Sequence, residues 1–145
     1  FKRKISKEIN LLKDKKSFLC VHDCKIVDSD LNDLNISYFQ LRNSKNGFFN
    51  NLLKPRYRGA CMTFKRELLK YLLPFPESMP MFYDEWIGIV SEKHRRTILD
   101  NDVLSLWRRH TSNVTCMSSP KRNFVVKFYQ QIKHRALKFF LVLKR

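Results

Sequence analysis

The sequence predicts a mixed α/β fold, a sheet with flanking helices and an amphipathic helix at the C-terminal end. Hydrophobic residues make up 43% of the 145 residues and 12 of them are Phe, so the chain has enough apolar surface for a packed core. Segments with helical spacing alternate with segments typical of strands. No internal repeat or low-complexity tract interrupts that order, so one core is expected.

The first part of the chain predicts a helix followed by a buried strand. Residues 1–13 place apolar side chains at helical spacing with charges between them. Ser17–Val27 is typical of a buried strand that ends in an acidic turn. Residues 35–58 remain ambiguous, with an extended ISYFQLR segment, a turn at Asn46 and Gly47, and a short apolar piece after it.

The second part predicts three strands and three helices. The strands are expected at Tyr57–Phe64, Arg96–Leu99 and Val103–Trp107. An acidic turn at residues 100–102 separates the last two. The helices are expected at Lys65–Leu73, at Asp84–His94 and at residues 122–143. The middle helix directs three apolar side chains inward, namely Trp86, Ile87 and Val90.

The net charge of +16 favours partners that carry negative charge: nucleic acid, anionic membrane or phosphorylated ligands. Residues 121–145 contain eight Lys or Arg and no acid, interleaved with aromatic residues. That helix is too charged to cross a bilayer, and it suits either a membrane interface or packing on the domain with a solvated basic face. Its candidate membrane contacts are Lys121, Arg122, Lys127, Lys133, Arg135 and Lys138.

Cys20, His22 and Cys24 alternate along the predicted strand, so their side chains share one face. These residue types can bind metal, but their spacing matches no zinc signature. Thiols also serve as small apolar fillers. We interpret His22 and Asp23 as structural, buried and hydrogen-bonded.

Three blocks from residue 57 onward resemble a known family: YRGACMTFKRELLKYLLPFP, MFYDEWIGIVSEKH and ILDNDVLSLWRRHTSNVT. In order, spacing and hydrophobic pattern they resemble bacterial family 2 glycosyltransferases with the GT-A fold. The closest subgroup is the rhamnosyltransferase-like enzymes of cell-surface polysaccharide assembly. The matching residues are Gly59, Ala60, Met62, Phe64, Asp84, Trp86, Arg108, His110 and Asn113.

The resemblance implies that residues 1–120 are the acceptor-side part of a GT-A domain and that residues 121–145 form an attached basic helix. It implies transfer of a sugar, with inversion, from a nucleotide-diphospho-sugar donor to a saccharide or lipid-linked acceptor. In such enzymes an Asp-rich motif holds the nucleotide and a divalent metal, Mg or Mn. We expect that motif upstream of Phe1, and we therefore expect this chain alone to be inactive.

Within this resemblance, Asp84 corresponds to the general base, and Glu85 is the runner-up. A carboxylate suits that role when it lies within about 3 Å of the acceptor hydroxyl. Judged by residue type alone, capping the helix N-terminus is the favoured role of Asp84, and the resemblance shifts the preference to the base. Arg108 and His110 correspond to metal or diphosphate contacts, since imidazole binds metals and guanidinium pairs with phosphates. The alternative for His110 is a surface position in a basic loop.

Four further residues are expected near the substrate: Gly59, Ala60, Trp86 and Asn113. Gly59 either allows the backbone to approach the ligand or marks a strand bulge.

The resemblance implies a cytoplasmic location, or a peripheral one on the inner face of the cytoplasmic membrane. A small basic nucleic-acid-binding protein is the alternative from charge, but no zinc-finger spacing or RNP-like stretch supports it. We therefore expect no nucleic-acid partner. An inactive remnant of a truncated glycosyltransferase gene is a further alternative.

Overall fold

The structure is a computed structural model that describes residues 3–13, 16–77, 81–110 and 124–144, with the side chains of the last segment from residue 132 on. Its strands are β1 (Leu19–Val27), β2 (Asp33–Ser37), β3 (Met62–Phe64) and β4 (Thr97–Arg108). Its helices are α1 (Lys4–Leu12), α2 (Tyr38–Arg42), α3 (Phe48–Leu53), α4 (Leu69–Leu72), α5 (Tyr83–Lys93) and α6 (Phe124–Leu143).

The four described strands form one open mixed sheet around β1. On one edge, β4 runs parallel to β1 along its whole length. The other edge is shared by two antiparallel strands, with β3 beside the start of β1 and β2 beside its end. The mixed α/β class with flanking helices is therefore confirmed.

The core lies between the sheet and α5. Leu19 and Val21 of β1 pack into one cluster with Trp86 and Val90 of α5, and all four side chains are fully buried. The predicted inward face of α5 is confirmed. Since strand residues alternate between faces, Cys20 and His22 lie on the opposite side of the sheet, which α1 covers.

Three predicted segments between residues 36 and 73 differ from the structure. ISYFQLR is extended only at Ile36 and Ser37, because Ser37 and Gln40 form a capping box that starts α2. Tyr57–Phe64 is a strand only from Met62, since residues 59–61 form a single 3-10 turn. The helix predicted at Lys65–Leu73 is divided into a 3-10 turn and the short α4.

The two predicted strands at residues 96–107 are one strand, β4. Asp100 and Asp102 do form a local turn-like contact, with the Asp102 N–H donating to the Asp100 carboxylate at 3.1 Å. The chain nevertheless continues along β1 with an irregular register opposite His22–Cys24. A bulge of this kind keeps the pairing while it absorbs extra residues.

Candidate functional site

A cleft of about 880 Å³ opens where α2, the loop before β3, the start of α5, the end of β4 and α6 meet. Tyr57 fixes the loop side of this cleft, because its hydroxyl donates to the buried Glu92 carboxylate. Gly88 of α5 lets the Tyr57 ring pack closely, since a Cβ at Gly88 would lie 2.9 Å from that ring. The cleft is thus bounded on this side by a residue anchored in the core.

Asp84 lies on the wall of the cleft, in the first turn of α5. One carboxylate oxygen accepts the Gly59 N–H at 3.1 Å and the other accepts the Glu85 N–H at 2.9 Å. The N-cap of α5 is Phe82, without a side-chain hydrogen bond, so Asp84 is not the cap residue. An acidic side chain in the first turn of a helix interacts favourably with the helix dipole.

Gly59 is required by the geometry around Asp84. A Cβ at this position would lie 2.6 Å from the Tyr83 hydroxyl oxygen. The glycine therefore allows its own N–H to reach Asp84 while Tyr83 packs against it. Neighbouring Ala60 is exposed, and its carbonyl accepts a hydrogen bond from the Lys4 ammonium at 3.1 Å.

Glu85 is tied to the C-terminal helix. The Lys138 ammonium lies 2.9 and 3.1 Å from the two oxygens of Glu85. The Lys138 side chain is 10% exposed and the Glu85 side chain is 8% exposed. Lys138 therefore lies in a buried ion pair, away from the surface where a membrane contact was predicted. The Glu85 carboxylate is therefore occupied by Lys138, whereas the Asp84 carboxylate is held by two backbone N–H groups.

The rim of the cleft combines an aromatic ring with two cations. The guanidinium groups of Arg58 and Arg109 lie 4.1 and 4.6 Å from the centre of the Trp107 ring. Tyr38 meets the same ring edge-on at 5.6 Å. Within the described part of the chain, neither guanidinium has a carboxylate in salt-bridge range. Both retain donors for an anionic ligand.

The other predicted site residues are placed elsewhere. Arg108 and His110 are exposed and do not line the cleft. Arg108 lies between Trp107 and Arg109, which do line it, and successive residues of an extended chain face opposite sides. Trp86 is fully buried, and its ring N–H donates to the Leu72 carbonyl at 3.1 Å. Asn113, Lys121, Arg122 and the Lys127 side chain lie outside the described residues. Lys133 is exposed and Arg135 is half-buried.

A second group of polar side chains is sealed beneath α1. The Glu8 carboxylate lies 2.7 Å from Nδ1 of His22, and Nε2 of His22 lies 3.0 Å from the Ser105 hydroxyl. That hydroxyl is 3.7 Å from the Cys61 sulfur. We call these four residues the buried relay. Asp23, on the other face of the strand, accepts the Phe39 N–H at 2.9 Å. His22 and Asp23 are thus buried and hydrogen-bonded as predicted.

Contacts within and around the buried relay shift the pKa values of His22 and Cys61. Burial lowers the pKa of His22, but contacts with Cys61 and Glu8 outweigh it and hold that pKa above its ordinary value. Contacts with Cys24 and His22 lower the pKa of the Cys61 thiol. Glu8 and His22 are nevertheless fully buried, so no ligand reaches them in this conformation. Among the described residues, no group of three or more His, Cys, Asp or Glu side chains could hold a metal ion.

We compared the chain with protein-family models, with curated proteins and with solved structures. None of the three comparisons gives a match. Among the residues that the structure describes, no helix is both long and apolar enough to cross a membrane.

Proposed function

We propose that this chain forms the acceptor-side part of a family 2 glycosyltransferase of the GT-A type. The enzyme would transfer a sugar, with inversion, from a nucleotide-diphospho-sugar to a saccharide or lipid-linked acceptor during cell-surface polysaccharide synthesis. The observation that carries the proposal is Asp84: a carboxylate fixed by Gly59 at a helix N-terminus, on the wall of an 880 Å³ cleft with an aromatic and cationic rim.

Asp84 would act as the base of the transfer step. Its carboxylate takes the proton of an acceptor hydroxyl as the hydroxyl oxygen bonds to the anomeric carbon of the donor sugar. The bond from that carbon to the nucleoside diphosphate breaks, and the diphosphate leaves with the bonding electron pair. Attack opposite to the leaving group inverts the anomeric carbon. The two backbone N–H groups that Asp84 accepts hold its carboxylate at the wall of the cleft, where an acceptor hydroxyl can approach.

Arg58 and Arg109 are the groups we assign to anionic parts of the substrates, in place of Arg108 and His110. Each guanidinium can donate two hydrogen bonds to a phosphate. Trp107 holds both against the rim by cation–π contact. A rim of this composition fits the diphosphate of the donor or of a lipid-linked acceptor.

A divalent metal, Mg or Mn, would neutralise charge on the leaving diphosphate. Such ions prefer several oxygen ligands. The cleft offers two carboxylates, of which Glu85 is already paired with Lys138. These two carboxylates do not form a complete metal site, so the proposal requires further ligands from outside the described residues.

The test is sugar transfer by this chain produced together with the coding sequence that precedes Phe1. We expect Asp84→Asn to lower turnover about 10²–10⁴-fold with donor affinity little changed, because Asn keeps the shape but takes up no proton. Glu85→Gln should be milder per folded molecule. Normal turnover in Asp84→Asn, together with loss of turnover in Glu85→Gln, would show that Glu85 and not Asp84 is the base.

The charge of +16 supports one rival function, nucleic-acid binding. Filter binding with single-stranded and duplex oligonucleotides separates the two. The glycosyltransferase proposal expects weak, sequence-independent binding that salt abolishes. Tight binding at physiological salt, together with no sugar transfer, would favour the rival.

A further inference from the structure

The outer face of α6 carries large apolar side chains in contact with solvent. Their exposed fractions are 48% for Ile132, 37% for Leu137, 62% for Phe140 and 52% for Leu143. Their spacing places them on one broad side of the helix. The opposite side of α6 is the one that packs on the domain, through the buried residues Lys138 and Val142. The exposed stripe is therefore not needed for that packing.

The apolar surface continues from α6 onto α3. Phe49 and Leu53 of α3 are 67% and 53% exposed, and they are four residues apart, so they share one side of that helix. Aromatic rings join the two helices in a continuous chain. The distances between ring centres are 5.2 Å from Phe49 to Phe48, 6.2 Å from Phe48 to Phe139 and 6.2 Å from Phe139 to Phe140.

The segments that carry this surface have charged side chains of one sign, and the nearby Glu92 of α5 is buried. Residues 34–66 and 121–145 contain no Asp or Glu. Four exposed lysines accompany the apolar residues on these segments: Lys45, Lys54, Lys133 and Lys144. A partner that covers the surface must therefore offer both an apolar interior and negative charge. An anionic lipid bilayer offers the two together, at adjacent depths.

We propose that the α3–α6 face, defined by Phe49, Leu53, Ile132, Leu137, Phe140 and Leu143, binds the surface of an anionic bilayer. Its apolar side chains enter the boundary between headgroups and acyl chains, and the surrounding lysines contact the headgroups. This surface differs from the one predicted from sequence, because Lys138 is buried and α3 takes part. The proposal does not depend on the enzymatic function.

The experiment is sedimentation of the full chain with vesicles of phosphatidylcholine, with or without about 30% phosphatidylserine. We expect binding at least about tenfold tighter to the anionic vesicles, weakened but not abolished by high salt. Phe49→Ser combined with Phe140→Ser should weaken that binding at least about tenfold. The control is Leu34→Ser on the sheet-edge strand β2, where an apolar side chain that is 47% exposed lies outside the face and should be dispensable.

All these substitutions fall on exposed positions, and thermal unfolding confirms that each variant is folded before its binding is compared. Equal binding by the Phe49/Phe140 variant and the parent chain would overturn the proposal, as would equal binding to neutral vesicles. Sedimentation equilibrium without vesicles tests the rival occupant. A dimer that the Phe49/Phe140 variant dissociates would assign the face to a second copy of the chain and would also overturn the proposal.

Discussion

The cleft and the buried relay both place a carboxylate near basic groups, but they differ in access to solvent. In the cleft, Asp84 is half-buried and faces a space large enough for sugar rings. In the relay, Glu8 orients His22, and His22 contacts Ser105 at hydrogen-bond distances. A carboxylate–imidazole–hydroxyl series of this kind activates nucleophiles in hydrolases. Here it is covered by α1.

The difference shows that acid–base geometry alone does not define a site. The Glu8–His22 contact of 2.7 Å is shorter than the Asp84 contacts in the cleft, and the pKa values of His22 and Cys61 are shifted. It lacks room for a substrate. The cleft has room, a rim of cations and a carboxylate whose other contacts are two backbone N–H groups. We therefore assign chemistry to the cleft and stability to the relay.

The largest effect on stability is expected from Glu8→Ala, which leaves buried His22 without its carboxylate partner. We expect the free energy of unfolding to fall by about 3–5 kcal/mol. Urea denaturation measures it, with Glu67→Ala as the control, because Glu67 is exposed and should change stability by less than about 0.5 kcal/mol. Equal stability of the two variants would contradict a structural role for the relay.

Lys138→Met tests the wall of the cleft, since it leaves the Glu85 carboxylate buried and unpaired. We expect a loss of about 3 kcal/mol in unfolding free energy. Adding Glu85→Gln should restore most of it, because the double variant buries no unpaired charge. If the two single losses simply add in the double variant, the ion pair does not hold α6 on the domain.

Cys61 tests how well the relay is sealed. Its lowered pKa would make an accessible thiol react fast, but the side chain is 1% exposed. We expect alkylation by iodoacetamide at neutral pH to be at least about 100-fold slower in the native protein than in urea, because reaction requires local opening. Mass spectrometry identifies the labelled residue. Rapid native labelling of Cys61 would make the relay an accessible site.

The smallest effect is expected at the rim. Arg58→Ala removes one of the two guanidinium groups beside Trp107, and we expect it to weaken binding of inorganic pyrophosphate about tenfold. Isothermal titration calorimetry measures the affinity. Arg66→Ala, an exposed arginine outside the cleft, is the control and should bind as the parent chain does. Equal losses in both variants would indicate general charge attraction instead of a rim site.

Local patterns explain which parts of the fold could be predicted from sequence. The helix at α5 and the strand at β1 follow from the spacing of their apolar residues. The continuous strand β4 could not be predicted, because residues 100–102 have the composition of a turn. Lys7 of α1 pairs with Asp100 and Asp102 in this bulge, and β1 supplies the hydrogen-bonding partner along its length. Both α1 and β1 are distant in sequence from residues 100–102.

The candidate site also combines features that local sequence indicates with features that depend on contacts distant in sequence. Asp84 was identified through the resemblance to glycosyltransferases, and the structure places it in the cleft. Arg58 and Arg109 were not identified, because their meeting at Trp107 depends on which faces of separate segments come together. The spacing of β4 carried a partial signal, since Trp107 and Arg109 alternate onto one face. No pattern in the sequence indicates that Glu8 is the partner of His22.

The most direct test of the account compares Asp84→Asn with Glu8→Gln in the chain produced with its preceding coding sequence. Turnover per folded molecule and free energy of unfolding are measured for both. We predict that Asp84→Asn loses about 10²–10⁴-fold in turnover at near-normal stability. Glu8→Gln should lose stability, yet keep turnover per folded molecule within about twofold. Loss of turnover in Glu8→Gln with normal turnover in Asp84→Asn would place the chemistry in the relay and contradict the account.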